Sequence, residues 1–132
     1  MGMAVDTKTK HASAQMPSKT FAEAMGQAVW LMTMSKAHRD LPIRELERRV
    51  ALPILLKQFR TFVKDNQPVA FLTWGAVSDA VRRRLASGDK EMAETDWRSG
   101  PNLMVVDVIS PFNSPEVFRQ KFESSLISGE ST

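Results

Sequence analysis

The stretch from Asn102 to Asn113 constrains this chain most, because it sets one carboxylate, Asp107, inside the apolar run Leu103, Met104, Val105, Val106, Val108 and Ile109. A run that is apolar on both of its alternating faces is the pattern of a central strand covered on two sides. An ionised carboxylate inside such a strand is costly unless something pairs with it. Asp107 is therefore either a salt-bridged structural residue or half of an acid/base pair, and the second reading needs a partner elsewhere in the chain.

The rest of the sequence supplies the frame. Residues 1–19 mix Lys, Thr, Ser, Ala and Gln without an apolar period, which predicts a flexible leader that contains His11. Thr20 with Glu23 is a capping-box signature, and Phe21, Ala24, Met25, Ala28 and Met32 recur at helical spacing, so a first helix is expected from Phe21 to about Thr33. A polar connection, Met34 to Leu41, leads to Pro42, a favoured first helical position. From there Ile43, Leu46 and Val50 mark a second helix that Pro53 should end, with Arg44, Glu45, Arg48 and Arg49 on a solvated face. Leu55 to Val63 and Val69 to Trp74, joined by the turn chemistry of Lys64 to Pro68, read as an antiparallel hairpin.

Val77, Ala80, Val81, Arg84 and Leu85 give a third helix that begins near Ser78 and stops at Gly88. It carries Arg82, Arg83 and Arg84, the densest basic cluster of the chain. A polar loop with Asp96-Trp97-Arg-Ser-Gly100 feeds the Asp107 strand, and Ser114-Pro115 opens a last helix striped by Phe118, Phe122 and Leu126. Residues 128–132 read as a fraying tail, which leaves 20–127 as one α/β or α+β domain.

Composition narrows the chemistry. The 132 residues include no cysteine, so disulfides, thiolate metal sites and an acyl-cysteine intermediate are excluded, and two histidines make a zinc site improbable. No apolar run approaches the roughly 18 residues of a membrane span, and the N-terminus lacks a secretory core, so a cytoplasmic protein is expected. A net charge of +3 favours an acidic partner without identifying it. Basic residues are not interleaved with aromatics on any strand, which argues against nucleic acid. No Gly-rich nucleotide fingerprint occurs. His38, in the polar connection, is the histidine placed to exchange protons, and pairing with Asp107 would make it a general base. Its loop position predicts that truncation leaves no large core cavity.

Taken together, Trp30-Leu31, Ser35, His38-Arg39, Pro42, Asn66-Gln-Pro-Val-Ala70 with Trp74, Asp96-Trp97-Arg-Ser-Gly100, Asp107 and Ser110-Pro-Phe112 resemble, in order and spacing, the toxin-activating lysine acyltransferases. That resemblance implies a fold similar to the GCN5-related N-acetyltransferases, with a mostly antiparallel central sheet flanked by helices. It implies transfer of a fatty acyl group, with no bound cofactor, from the phosphopantetheine thioester of acyl carrier protein to an internal lysine of an RTX protoxin. His38 matches the family's essential histidine, Asp107 its catalytic aspartate and Ser35 a serine close to that histidine. An acidic carrier protein would suit the Arg82, Arg83 and Arg84 cluster. Asn113 stands where the family commonly has glycine, and the chain ends soon after the next helix, so the acceptor is less constrained than the fold. An N-acyltransferase using acyl-CoA and an inactive binding module of the same fold are the alternatives, and a homodimer is left open.

Overall fold

The computed structural model describes residues 19–127; the expectations of a leader and a tail otherwise lie outside the described residues. Helix α1 spans Lys19–Thr33, starting two residues before the expected Phe21. A turn built on Ser35 follows, with the His38 and Arg39 amides donating to the Ser35 carbonyl at 3.0 and 2.8 Å. Next comes one continuous helical segment, α2, made of Arg44–Leu46, a π-type turn over Glu47–Ala51 and Leu52–Leu55. Strands β1 (Phe59–Lys64) and β2 (Gln67–Val77), helix α3 (Asp79–Ala86), a 3₁₀ turn (Glu94–Trp97), strand β3 (Asn102–Ile109) and helix α4 (Pro115–Ile127) complete an α+β fold.

The local signals account for most of these elements. Asp65 and Asn66 both have positive φ, at 52° and 64°, the requirement of a type I′ hairpin turn, so β1 and β2 pair antiparallel. Ser78 caps α3 by accepting from the Val81 amide at 3.2 Å, and Gly88 follows that helix at φ 98°. Pro53, expected to end the second helix, lies inside α2 instead, which runs on to Leu55. Its ring needs room against the Arg49 carbonyl, and the wide turn before it, closed by the Leu52 amide on the Glu47 carbonyl, supplies that room. Leu55 and Leu56 are consequently taken out of the expected first strand, which begins at Phe59.

The sheet runs β1-β2-β3, all antiparallel, so β3 is an edge strand and β2 is the centre. The apolar run of β3 read as a central strand; it is covered on both faces, but among the described residues it lies at the edge of the sheet, because pairing and not burial sets position. On one face, Ala70, Leu72, Val105 and Val108 pack with Phe118 and Phe122 of α4. On the other, Phe71 and Ile109 join Ala28, Leu31, Val50 and Ile54 of α1 and α2. Further along that second face, Val77 and Val106 join Val81, Met92 and Trp97. Thr73 and Asp107, paired across β2 and β3, sit at the seam between these two clusters.

Candidate active site

Asp107 reaches that seam through an irregularity in the ladder. Thr73 pairs with Asp107 but Trp74 pairs with Val105, so Val106 is a bulge residue without a counterpart. The extra residue places Val106 and Asp107, successive in sequence, on the same side of the strand, as bulges near active sites often do. A cleft of about 290 Å³ opens there, and its walls include Arg49, Thr73, Lys90, Trp97, Val106 and Asp107.

His38 and Asp107 are brought together from 69 positions apart, Nε2 to Oδ2 at 2.9 Å, with both residues buried. The other ring nitrogen, Nδ1, lies 2.6 Å from Ser35 Oγ. The anionic carboxylate favours the tautomer with the proton on Nε2, which then donates to Asp107 and leaves the Nδ1 lone pair facing the Ser35 hydroxyl. His38 and Ser35 are not on the cleft wall; Asp107 is the member of the group that faces it. The expected loop position of His38 is correct, yet its ring is buried and bonded at both nitrogens. Truncation there removes two buried hydrogen bonds, a larger loss than a loop position predicts.

Two residues that the sequence did not single out complete the shell of Asp107. Arg49 Nη2 donates to Oδ2 at 3.1 Å and Lys90 Nζ donates to Oδ1 at 3.1 Å, while the Val108 amide donates to Oδ1 at 2.9 Å. Burial pushes the Asp107 carboxyl up, but the hydrogen bond from His38 and the hydrogen bond and positive charge of Lys90 more than offset it and hold the group well below the usual carboxylate range. Arg49 read as a solvated charge because it neighbours other charges; the signal for it is Pro53, four residues on, which widens the turn that carries it. Lys90 sits in a polar loop without a period, and no local pattern could have found it.

The Arg82, Arg83 and Arg84 cluster does not reach this group. Arg82 and Arg83 are exposed on α3, whereas Arg84 turns to the loop, where Nη2 donates to Asp96 Oδ2 at 2.9 Å and also to the Glu91 carbonyl. Asp96-Trp97-Arg-Ser-Gly100 is fastened to the end of β2, where the Ser99 and Gly100 amides donate to the Ala76 carbonyl at 2.8 and 3.2 Å, and to Gln58 just before β1, whose Nε2 donates to the Trp97 carbonyl at 3.0 Å and whose Oε1 accepts from Arg98 Nε at 2.6 Å. Among the described residues no group of three or more His, Asp or Glu is placed to hold a metal ion, and no helix is long and apolar enough to cross a membrane.

A buried imidazole–carboxylate pair whose carboxylate faces an open cleft, on a small α+β domain, is an arrangement that can move a proton. Residues 17–131 match the model of the RTX toxin acyltransferase family, and the chain belongs to that family. It is 30% identical over 103 residues to the lysine-acyltransferase RtxC of Vibrio cholerae, covering 77% of this chain and 67% of the relative. It is 30% identical over 97 residues to the protein-lysine palmitoyltransferase CyaC of Bordetella bronchiseptica, covering 74% of this chain and 52% of the relative. Against the protein-lysine myristoyltransferase HlyC of Escherichia coli it is 28% identical over 108 residues, covering 79% of this chain and 62% of the relative. The chain thus spans between about half and two thirds of the length of these relatives.

Proposed function

We propose that residues 20–127 form an acyltransferase domain that moves a fatty acyl group from acyl carrier protein to an internal lysine of an RTX-type protoxin, in the cytoplasm. The observation that carries this is the buried His38–Asp107 pair, 2.9 Å apart at the cleft, in a member of this family. The chemistry demands such a pair, because a lysine ammonium titrates near ~10.4 and must lose a proton before its nitrogen can attack a thioester carbonyl. The Asp107 carboxylate receives the incoming ammonium in the cleft. The proton passes to the buried His38 behind Asp107, whose ring Ser35 holds from its other nitrogen, and Asp107 offsets the charge of the imidazolium that results. The acyl group arrives as a phosphopantetheine thioester, so no resident cofactor is required. Arg82 and Arg83 remain available to an acidic carrier protein.

The test is the intact mass of a candidate RTX protoxin incubated with this protein and acylated carrier protein. The parent should add one acyl mass per modified lysine. His38→Ala should cut the rate by about a hundredfold or more, and Ser35→Ala should slow it while leaving the donor bound. His38→Ala should also cost about 2 kcal/mol of stability through its two lost hydrogen bonds, so His38→Gln, with circular dichroism of both variants, serves as the folded control. Full acylation by folded His38→Gln would remove the general-base role. Transfer from acyl-CoA at the same rate as from acylated carrier would replace the donor.

A further inference from the structure

The cleft carries two hydrogen-bonding groups that the proton-transfer scheme leaves unused. Thr73 Oγ1 and Trp97 Nε1 are buried without a partner among the described residues, and both residues line the cleft beside Asp107. Thr73 is 2% exposed and stands opposite Asp107 in the ladder; Trp97 is 1% exposed and its own carbonyl is fixed by Gln58. Thr61, Trp74 and Arg84 also carry buried unpartnered atoms, but none of the three lines the cleft. A buried donor left unpaired costs free energy, so its presence in a folded protein calls for an explanation.

The donor inventory says what would satisfy these groups. An indole N–H only donates, so Trp97 needs an acceptor, while an ammonium group only donates and would find its acceptor in Asp107. Asp107 already accepts from His38, Arg49, Lys90 and the Val108 amide, so the unmet demand of the cleft is for an oxygen on its Thr73 and Trp97 side. The carbonyl oxygen of a thioester beside the amine that Asp107 receives meets that demand.

We propose that Thr73 Oγ1–H and Trp97 Nε1–H hold the carbonyl oxygen of the acyl thioester and the oxyanion it becomes, a role that rests on the acyl-transfer reading above. The amine nitrogen lone pair forms the C–N bond, and the carbonyl π electrons move onto the oxygen between the two donors. Collapse of that oxyanion restores the C=O bond and breaks the C–S bond. The sulfur leaves with the bonding pair, the new C–N nitrogen loses its second proton as the amide forms, and of the two protons that the ammonium gives up one goes to the leaving thiolate and the other passes from His38 to solvent. Donors fixed before the charge develops act at full strength, because nothing has to reorient.

The experiment uses two inert analogues of acylated carrier protein, one with a methylene in place of the thioester sulfur, which keeps the carbonyl, and one with the carbonyl itself reduced to methylene. The indole N–H resonance of Trp97, identified by its loss in Trp97→Phe, should shift with the carbonyl analogue and stay in place with the other. The parent should bind the carbonyl analogue about tenfold more tightly, and Thr73→Val and Trp97→Phe should each shrink that preference. Each variant should lower kcat for lysine acylation about ten- to a hundredfold with the acceptor KM unchanged. Since both atoms are unpartnered without substrate, Thr73→Val should keep or raise the Tm, which a structural hydroxyl would not do. Equal binding of the two analogues with an unmoved resonance, or full kcat in the folded Thr73→Val/Trp97→Phe double variant, overturns the assignment while leaving the acyltransferase reading standing. Failure of the parent to bind either analogue would instead remove that reading, and this role with it.

Discussion

At the scale of single residues, Asp107 shows how far an odd residue in a regular pattern can be followed. A carboxylate in an apolar strand demanded a partner, and His38 was the histidine of the folded region available to meet it. Arg49 and Lys90, which bear on the same two oxygens, were not legible, because long cations on irregular backbone reach inward only once the chain is folded. Their presence makes Asp107 a measurable contributor to stability. Folding lowers its carboxyl, so the stabilisation is present above the unfolded value near ~3.9 and is lost as pH falls through the lower, folded value. Asp107→Asn should therefore be less stable than the parent by about 2 kcal/mol at neutral pH, and the gap should close in strong acid, where the parent is protonated as well. Urea unfolding of both proteins at neutral pH and at successively lower values checks this; a gap that stays constant into strong acid would mean that the charge is not what stabilises. Asp107→Asn should also lose at least about tenfold in acyl transfer.

Among the elements, those specified by neighbours in sequence were readable and those specified by distant packing were not. The hairpin turn at Asp65-Asn66, the Ser78 cap and the final helix follow from local chemistry. The helix that continues through Pro53, the late start of β1 and the edge position of β3 depend on what lies against them. The turn from Ala93 to Gly100 depends on close approach. A Cβ on Gly100 would stand 2.6 Å from Ser78 Cα and 2.7 Å from the Val77 carbonyl oxygen, both backbone atoms that cannot step aside. Gly100→Ala should thus lower the Tm by roughly 5–10 °C and weaken activity by displacing Trp97. A calorimetric scan with no change in Tm would show that the turn yields. The three adjacent arginines of α3 likewise separate by role. Arg84→Ala should destabilise by about 1–2 kcal/mol through its lost bonds to Asp96 and the Glu91 carbonyl, whereas Arg82→Ala and Arg83→Ala should stay within about 0.5 kcal/mol of the parent.

For the whole molecule, the sheet separates two tasks. Its α4 face is a closed apolar layer, and its other face holds two apolar clusters with the polar group between them. Fold class and element order were legible because amphipathic periods report which faces are buried; the seam was not, because it arises from three-dimensional pairing. The small positive charge gives a prediction at this scale. Association with acylated carrier protein should slow as salt rises, and Arg82→Ala with Arg83→Ala should flatten that dependence. Stopped-flow rates at several ionic strengths, identical for parent and double variant, would leave those arginines as solvent-facing charge. The bulge at Val106 has one more consequence, for how this chain tolerates changes in length. Removing Val106 would restore a regular ladder in which Thr73 still faces Asp107 and Trp74 still faces Val105. Removing Val108 would also restore a regular ladder, but with Asp107 in the place of Val108 opposite Leu72, which drives the carboxylate in among Phe118 and Phe122. Two neighbouring valines, chemically identical, therefore differ in whether lineages can discard them.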